Sequence, residues 1–185
     1  MLEAARGLFV QLGYAGTTLE AIAKAADVSP KTVAAVFGSK RGILTAIVHP
    51  NAFGARYQEL IDRLRATPEP GRRVEVMAQL TRQVYETLTP EFELLRGASA
   101  VAVELAEIGL QVETRRRQYQ TRFVAYLNEQ GALRRGLSLE EATDELWALT
   151  SYDLYRLLIR ECGWPAQHYE SWLTSVLVQR LLEAV

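Results

Sequence analysis

Between Ser29 and Lys40 the stretch SPKTVAAVFGSK sets hydroxyls at Ser29, Thr32 and Ser39 and ammonium groups at Lys31 and Lys40 around two apolar residues, Val33 and Phe37. Groups of these kinds donate and accept hydrogen bonds and neutralise anions; they do not by themselves make or break bonds. Ser29 before Pro30 is a helix start, because the serine oxygen accepts an orphan backbone N–H and proline at the first helical position has no N–H to lose. The spacing predicts a helix from about Pro30 to Phe37. Val33 and Phe37 share its buried face, which turns Pro30, Lys31, Thr32, Ala34 and Ala35 outward. An exposed helix with a cation and a hydroxyl in its first turn, and small residues beyond, can approach the floor of a DNA major groove. Gly38 suits the left-handed backbone that ends such a helix. Ser39 then caps another, whose N-terminal Lys40 is placed as a phosphate anchor.

Bond-making chemistry has little to work with. His49 precedes Pro50 and His168 opens the last helical segment, and neither has a carboxylate or serine at a spacing that would make it a base. Glu104 and Glu107 share a helical face but have no histidine beside them to complete a di-iron pattern. The single cysteine, Cys162, excludes an intrachain disulfide framework and a cysteine-based zinc site, and is expected to pack as a small apolar residue. No metal site and no cofactor are expected, and no catalytic residue is assigned.

The elements that position the Ser29–Lys40 stretch are helical. Leu2, Ala5, Leu8, Phe9 and Leu12 keep helical spacing up to Gly13, and Met1 already falls inside that helix, so the N-terminus reads as shortened. Thr17 with Glu20 reads as a capping box for a helix whose apolar face is Leu19, Ile22, Ala23 and Ala26. After Lys40 the apolar residues Ile43, Leu44, Ile47 and Val48 lead to a break at His49 and Pro50, where a domain boundary is placed. Further helices are expected over about 72–88, from Pro90 to about 107 (with Phe92, Leu95, Ser99 and Val103 along one side), and from about 110 to 129 after Gly109. Arg115, Arg116 and Arg117 spread around the last of these as a solvated face. Ser138 and Glu141 form a capping box opening a helix of about 24 residues, and Gly163-Trp164-Pro165 starts the final one. Both are apolar over more than one stripe, which calls for burial in the core or against a second copy. No segment alternates as a strand would, so the fold class is all-α.

The residues Ala4, Ala5, Leu8, Phe9, Gly13, Tyr14, Thr17, Thr18, Ile22, Ala23, Ala26, Val28, Ser29, Thr32, Phe37, Ser39 and Lys40 resemble the DNA-binding domain of the TetR family of repressors, over about the first fifth of the chain. The resemblance implies an N-terminal three-helix helix-turn-helix domain, residues 1–48, and a helical ligand-binding and dimerisation domain, residues 49–185. It assigns phosphate contacts to Thr18, Ala34 and Lys40 and base contacts to Pro30, Lys31, Thr32 and Ala35, with Ser29 completing the DNA-facing set. Ala34 stands where the family usually has tyrosine, and Val36 where an aromatic residue or histidine is common, so some backbone contacts of the family are missing here.

Composition sets the outer limits. With 185 residues and 49% hydrophobic content the chain can bury a sizeable core. Net charge is -1 overall, but residues 1–49 hold five basic against three acidic side chains and all three lysines of the chain. No stretch approaches a membrane span, and cysteine usage suits a reducing cytoplasm. The expectation is a DNA-binding regulator, a homodimeric repressor released from an inverted-repeat operator in double-stranded DNA by an unknown small molecule. Tyr85, Phe92, Arg96, Tyr119, Phe123 and Trp147 are the candidate effector contacts, with Arg96 the one polar residue singled out for an inward role, paired to an acidic effector or to Glu104. The alternative, a solvent-facing arginine on the polar side of its helix, is the favoured one. Leu149, Asp153, Leu157, Trp172, Leu173, Val176 and Leu177 are the candidate dimer interface. The alternative is a helical-bundle small-molecule binder or degenerate enzyme whose helix-turn-helix no longer engages DNA.

Overall fold

The computed structural model describes residues 1–98 and 103–183. The elements, in chain order, are α1 (Leu2–Gly16), α2 (Leu19–Ala25), α3 (Pro30–Phe37), α4 (Lys40–Ile47), a 3-10 turn (Pro50–Ala52), α5 (Gly54–Ala66), α6 (Pro70–Ala98), α7 (Val103–Glu129), α8 (Leu139–Leu149), α9 (Tyr152–Arg156), a π-helical turn (Leu157–Glu161) and α10 (Ala166–Leu181). Among the described residues the only extended pairing is one isolated bridge, Leu133 with Leu182. The all-α expectation holds.

The chain divides into two compact units, Met1–Gly54 with Leu88–Val112, and Ala55–Thr87 with Glu113–Val185. The sequence placed the boundary at residue 48 and gave everything after it to one domain. The first unit reclaims 88–112 because Leu95, Leu105 and Ile108 share one core with Ala5, Phe9, Ile22, Val33 and Ile43. Arg6, on α1, fastens the same unit: its guanidinium pairs with buried Glu91 at 3.5 Å and donates to the carbonyls of Ile47 and Ala52. The break at Pro50 is thereby a pinned turn, closed by Ala52 N–H on His49 O at 2.8 Å.

Several local expectations change. Thr18, not Thr17, caps α2, accepting the Ala21 N–H at 3.1 Å. Thr17 is fully buried and turns back to α1, donating to the carbonyls of Gly13, where that helix bends, and of Leu8. Pro90 does not end a helix; α6 bends at Leu88 (φ -115°, ψ 16°) and continues. Gly109 does not separate two helices, since α7 runs through it with Leu105 and Ile108 buried on one side. Ser99 and the side chain of Glu104 lie outside the described residues. The single long helix expected from Ser138 is broken after Leu149: the Thr150 hydroxyl bonds back to Leu146 O at 2.6 Å and Ser151 caps α9 by accepting the Leu154 N–H. The Ser138–Glu141 capping box is present as expected.

Candidate nucleic-acid interface and an interior polar cluster

In the first unit α3 is held at both ends. Ser29 Oγ accepts the Thr32 N–H at 3.0 Å, Pro30 occupies the first turn, and Gly38, at φ 71°, turns the chain while its N–H bonds Ala34 O at 2.8 Å. Val33 is fully buried, whereas Pro30, Lys31, Thr32, Ala34, Ala35 and Val36 are all exposed. Val36, unassigned by periodicity, belongs to this exposed set. Ser39 caps α4 by accepting the Gly42 N–H at 3.2 Å. Gly42 is required there, since a Cβ on it would lie 1.9 Å from Phe37 O. α4 therefore starts hard against the end of α3, and its N-terminal amides share the face with exposed Thr18. Tyr14, Thr18, Ser39, Lys40 and Arg41 line an open depression of about 480 Å³.

Lys40 is not the free anchor that the sequence suggested. Its ammonium donates to Tyr14 O at 2.8 Å and lies 4.7 Å from the centre of the Tyr14 ring. α1 has no basic residue in its own last turn, and the lysine places a positive charge against that negative helix end. Three N–H groups on one ammonium leave capacity for a further acceptor. Arg41 is paired with Glu107 at 2.8 Å.

The second unit carries a polar cluster inside its core, built on the break at Thr150. A helix interrupted there exposes carbonyls that would otherwise be paired, and side chains take them up. Tyr85 Oη donates to Thr150 O at 2.7 Å. Arg116 donates to Trp147 O at 2.8 Å and to Thr150 Oγ1 at 3.0 Å, and is balanced by Glu113 at 2.6 Å. Because the Thr150 hydroxyl spends its proton on Leu146 O, it can only accept from its neighbours, so Gln120 turns its amide N–H toward it, at 2.6 Å. The Gln120 Oε1, Trp147 Nε1 and Tyr169 Oη atoms are buried with no hydrogen-bond partner. The Tyr85, Tyr155 and Tyr169 rings follow one another at 5.2 and 5.1 Å between centres. Burial pushes the Tyr85 and Tyr169 phenols well above the ordinary tyrosine range, so both remain neutral.

The six expected effector contacts are divided between the two units. Tyr85 and Phe123 are buried in the second unit and Trp147 is half-buried there, with the Arg116 guanidinium 5.2 Å from its ring centre. Tyr119 is 49% exposed. Phe92 and Arg96 belong to the first unit, and Arg96 is exposed and ion-paired with Glu93, which is its solvent-facing alternative and not the inward one. The sequence missed Arg116, Gln120, Thr150 and Tyr169. Arg116 and Gln120, four apart on α7, share a face, but the arginine run around Arg116 read as a solvated surface. Of the expected dimer residues, Leu173 and Leu177 are fully buried within the chain's own core, so they cannot be surface contacts as the fold stands. Asp153 and Leu157 are exposed, and Leu149, Trp172 and Val176 are half-buried. Cys162 is exposed rather than packed.

Among the described residues no group of His, Cys, Asp and Glu could hold a metal ion, and no helix is long and apolar enough to cross a membrane. No curated protein matches the sequence. Residues 1–47 match the family described as bacterial regulatory proteins, tetR family. A protein from Saccharomonospora viridis assigned as a transcriptional regulator, in complex with choline, is 19% identical with a TM-score of 0.71, over 99% of this chain and 96% of that one. SmeT in complex with triclosan is 22% identical with a TM-score of 0.76, over 98% and 90%. The transcriptional regulator FadR from Bacillus subtilis, in complex with stearoyl-CoA, is 14% identical with a TM-score of 0.70, over 96% and 95%. Residues 1–47 thus match the tetR-family model, and the chain shares the all-α fold of the regulators it is similar to.

Proposed function

We propose that the chain is a homodimeric transcriptional repressor that holds duplex DNA with α3 and is released from it by a small molecule taken up in the second unit. The observation that supports DNA binding most directly is the exposed face of α3, capped at both ends and flanked by the Thr18, Ser39 and Lys40 depression, within the residues that match the family. Pro30, Lys31, Thr32 and Ala35 take the base-facing role. Thr18, Ser29, Ala34 and Lys40 lie along the backbone-facing side, Ala34 through its main chain only.

A two-fold dimer presents two copies of α3 to successive major grooves, about 34 Å apart or somewhat more, which calls for an inverted-repeat operator. The pairing surface is assigned to exposed or half-buried residues of α8 to α10, Leu149, Asp153, Leu157, Trp172 and Val176, with Leu173 and Leu177 supporting it from the core. The effector site is assigned to the Thr150 cluster, where Gln120 Oε1 and Tyr169 Oη are buried without partners and a ligand would supply them. Choline, triclosan and stearoyl-CoA, bound by proteins of the same fold, differ widely in size and charge, so effector identity rests on this chain's own lining. A DNA partner places the protein in the cytoplasm.

The test is binding of the intact chain to random-sequence duplex DNA across a salt series. Affinity should fall steeply with salt, with a log-log slope of about -0.9 per phosphate contacted. Absence of salt-dependent binding to any duplex would rule the proposal out.

A further inference from the structure

Resting on that effector-site reading, we infer that the molecule taken up in the second unit is uncharged, largely apolar, and carries a hydroxyl or amide group whose proton it donates to Gln120 Oε1. The Gln120 side chain is satisfied on one side only. The Thr150 hydroxyl gives its proton to Leu146 O at 2.6 Å and so accepts from Gln120 Nε2 at 2.6 Å, which fixes the orientation of the amide. Its oxygen, on a residue 4% exposed, is left without a partner. A carboxamide oxygen only accepts, so a molecule that completes it must bring an O–H or N–H. Tyr169 Oη, on a fully buried residue, and Trp147 Nε1 are also without partners. Both carry a proton, so they call for an acceptor on the same molecule. A hydroxyl offers one donor and two lone pairs, and an amide offers both kinds of group.

Charge is excluded by the pairing of the cluster's own ions. An anion would seek Arg116. That guanidinium already holds Glu113 through Nε at 3.1 Å and Nη2 at 2.6 Å, and its Nη1 donates to Trp147 O and Thr150 Oγ1. A ligand carboxylate would have to displace Glu113, with no net gain of paired charge. A cation would seek a carboxylate or an aromatic face. Glu113 is paired with Arg116, and Glu170 is held by Arg82 at 2.6 Å. The Tyr85, Tyr155 and Tyr169 rings stand 5.2 and 5.1 Å apart between centres, in contact with one another, and leave no width for an ammonium between them. An ion without a counter-ion there loses its hydration uncompensated, whereas a neutral hydroxyl that meets Gln120 does not. Beside Gln120 the surroundings are apolar: Phe123 and Leu127 follow it on one face of α7, and both are buried.

The probes are matched sets of four, benzyl alcohol, benzyl methyl ether, benzylammonium and benzoate, with the cyclohexylmethyl and octyl sets beside them. Each is titrated into the intact chain and followed by NMR. In the set that binds best, the alcohol should bind about ten-fold more tightly than the ether, which lacks the donor, and both ions more weakly than either. Gln120→Leu should bring the alcohol down to the level of the ether. Tyr169→Phe removes a partnerless hydroxyl and almost no volume, so it should weaken the alcohol while leaving the free chain at least as resistant to urea as wild type. An ether bound as tightly as its alcohol, no member bound, or a Tyr169→Phe chain less stable than wild type would overturn the inference. A charged member bound best, yet lost in Gln120→Leu, would leave the site standing and overturn the ligand class. An alcohol that binds through Gln120 without releasing a duplex selected from a random-sequence pool would overturn the release reading and support the ligand class.

Discussion

Lys40→Ala tests whether one ammonium serves both the fold and the DNA. In the free protein the group donates to Tyr14 O at 2.8 Å and sits over the Tyr14 ring. A hydrogen bond from a charged donor contributes about 1.5–3 kcal/mol, and a cation over an exposed ring roughly 0.5–1 kcal/mol. Lys40 is half-buried and the two terms share one group, so their sum is an upper limit. The substitution should destabilise the first unit by about 2 kcal/mol. On DNA, the same change removes one phosphate contact per subunit, and the salt slope of a dimer should become shallower by about 1.8. Lys40→Arg, which keeps the charge, should retain the slope. Denaturant unfolding followed by Tyr14-region amide exchange reads the first effect, and anisotropy across a salt series the second. A loss of stability with an unchanged slope would show that the ammonium never leaves the Tyr14 carbonyl for phosphate, and would remove Lys40 from the interface. An unchanged stability would refute its role as the positive cap of α1.

Three further outcomes follow from the packing. Tyr85 and Tyr169 keep their protons in the fold beyond the ordinary tyrosine pKa of 10.0, so ionisation favours the unfolded chain above that pH. Stability should be full below about pH 10 and fall above it by up to about 1.4 kcal/mol per pH unit per tyrosine, with part of the tyrosinate absorbance rising only as the protein unfolds. Arg6→Met strands buried Glu91 and should cost about 3–5 kcal/mol, whereas Arg6→Met with Glu91→Met should cost less than the single change; a double variant less stable than the single would refute the pairing as read from the 3.5 Å contact. Leu173→Ala, in the core, should lose about 2–5 kcal/mol of stability without changing the association state of the folded fraction, while Val176→Asp should sediment as a folded monomer. A dimeric Val176→Asp would sink the surface assignment.

What the sequence made legible was whatever depends on neighbours along the chain. Ser29 with Pro30, Gly38, Ser39 and the Ser138–Glu141 box are caps whose partners lie within three or four residues, and each is found where its residue type predicts. Thr17 and Thr18 show the limit of that logic. Both can cap, and the choice is made by two carbonyls of α1 that only the fold brings to Thr17. Periodicity likewise identified Leu173, Leu177 and Trp172 as apolar without saying which the chain would bury for itself. Leu173 and Leu177 have no exposure left, and Trp172 keeps some.

The least legible feature is the Thr150 break, on which the proposed effector site is built. Ser138 to Glu161 has the composition of one continuous helix, and a threonine followed by a serine is only a weak interruption. The interruption persists because Tyr85 and Arg116 take the carbonyls it frees, and Arg116 and Gln120 both donate to the Thr150 hydroxyl. Those partners are 30 to 65 residues away in sequence, beyond any local pattern. A straight helix there would leave Tyr85 Oη, Arg116 and Gln120 competing for satisfied backbone in the core, at a cost of about 1–3 kcal/mol for each group stranded. The break and its side chains therefore stabilise one another. Tyr85→Phe, which removes one of those partners and almost no volume, should loosen the turn as well as the bond, seen as faster amide exchange at Ser151 and Leu154 than at α8. Exchange there unchanged from wild type would mean that Thr150 and Ser151 hold the break without Tyr85.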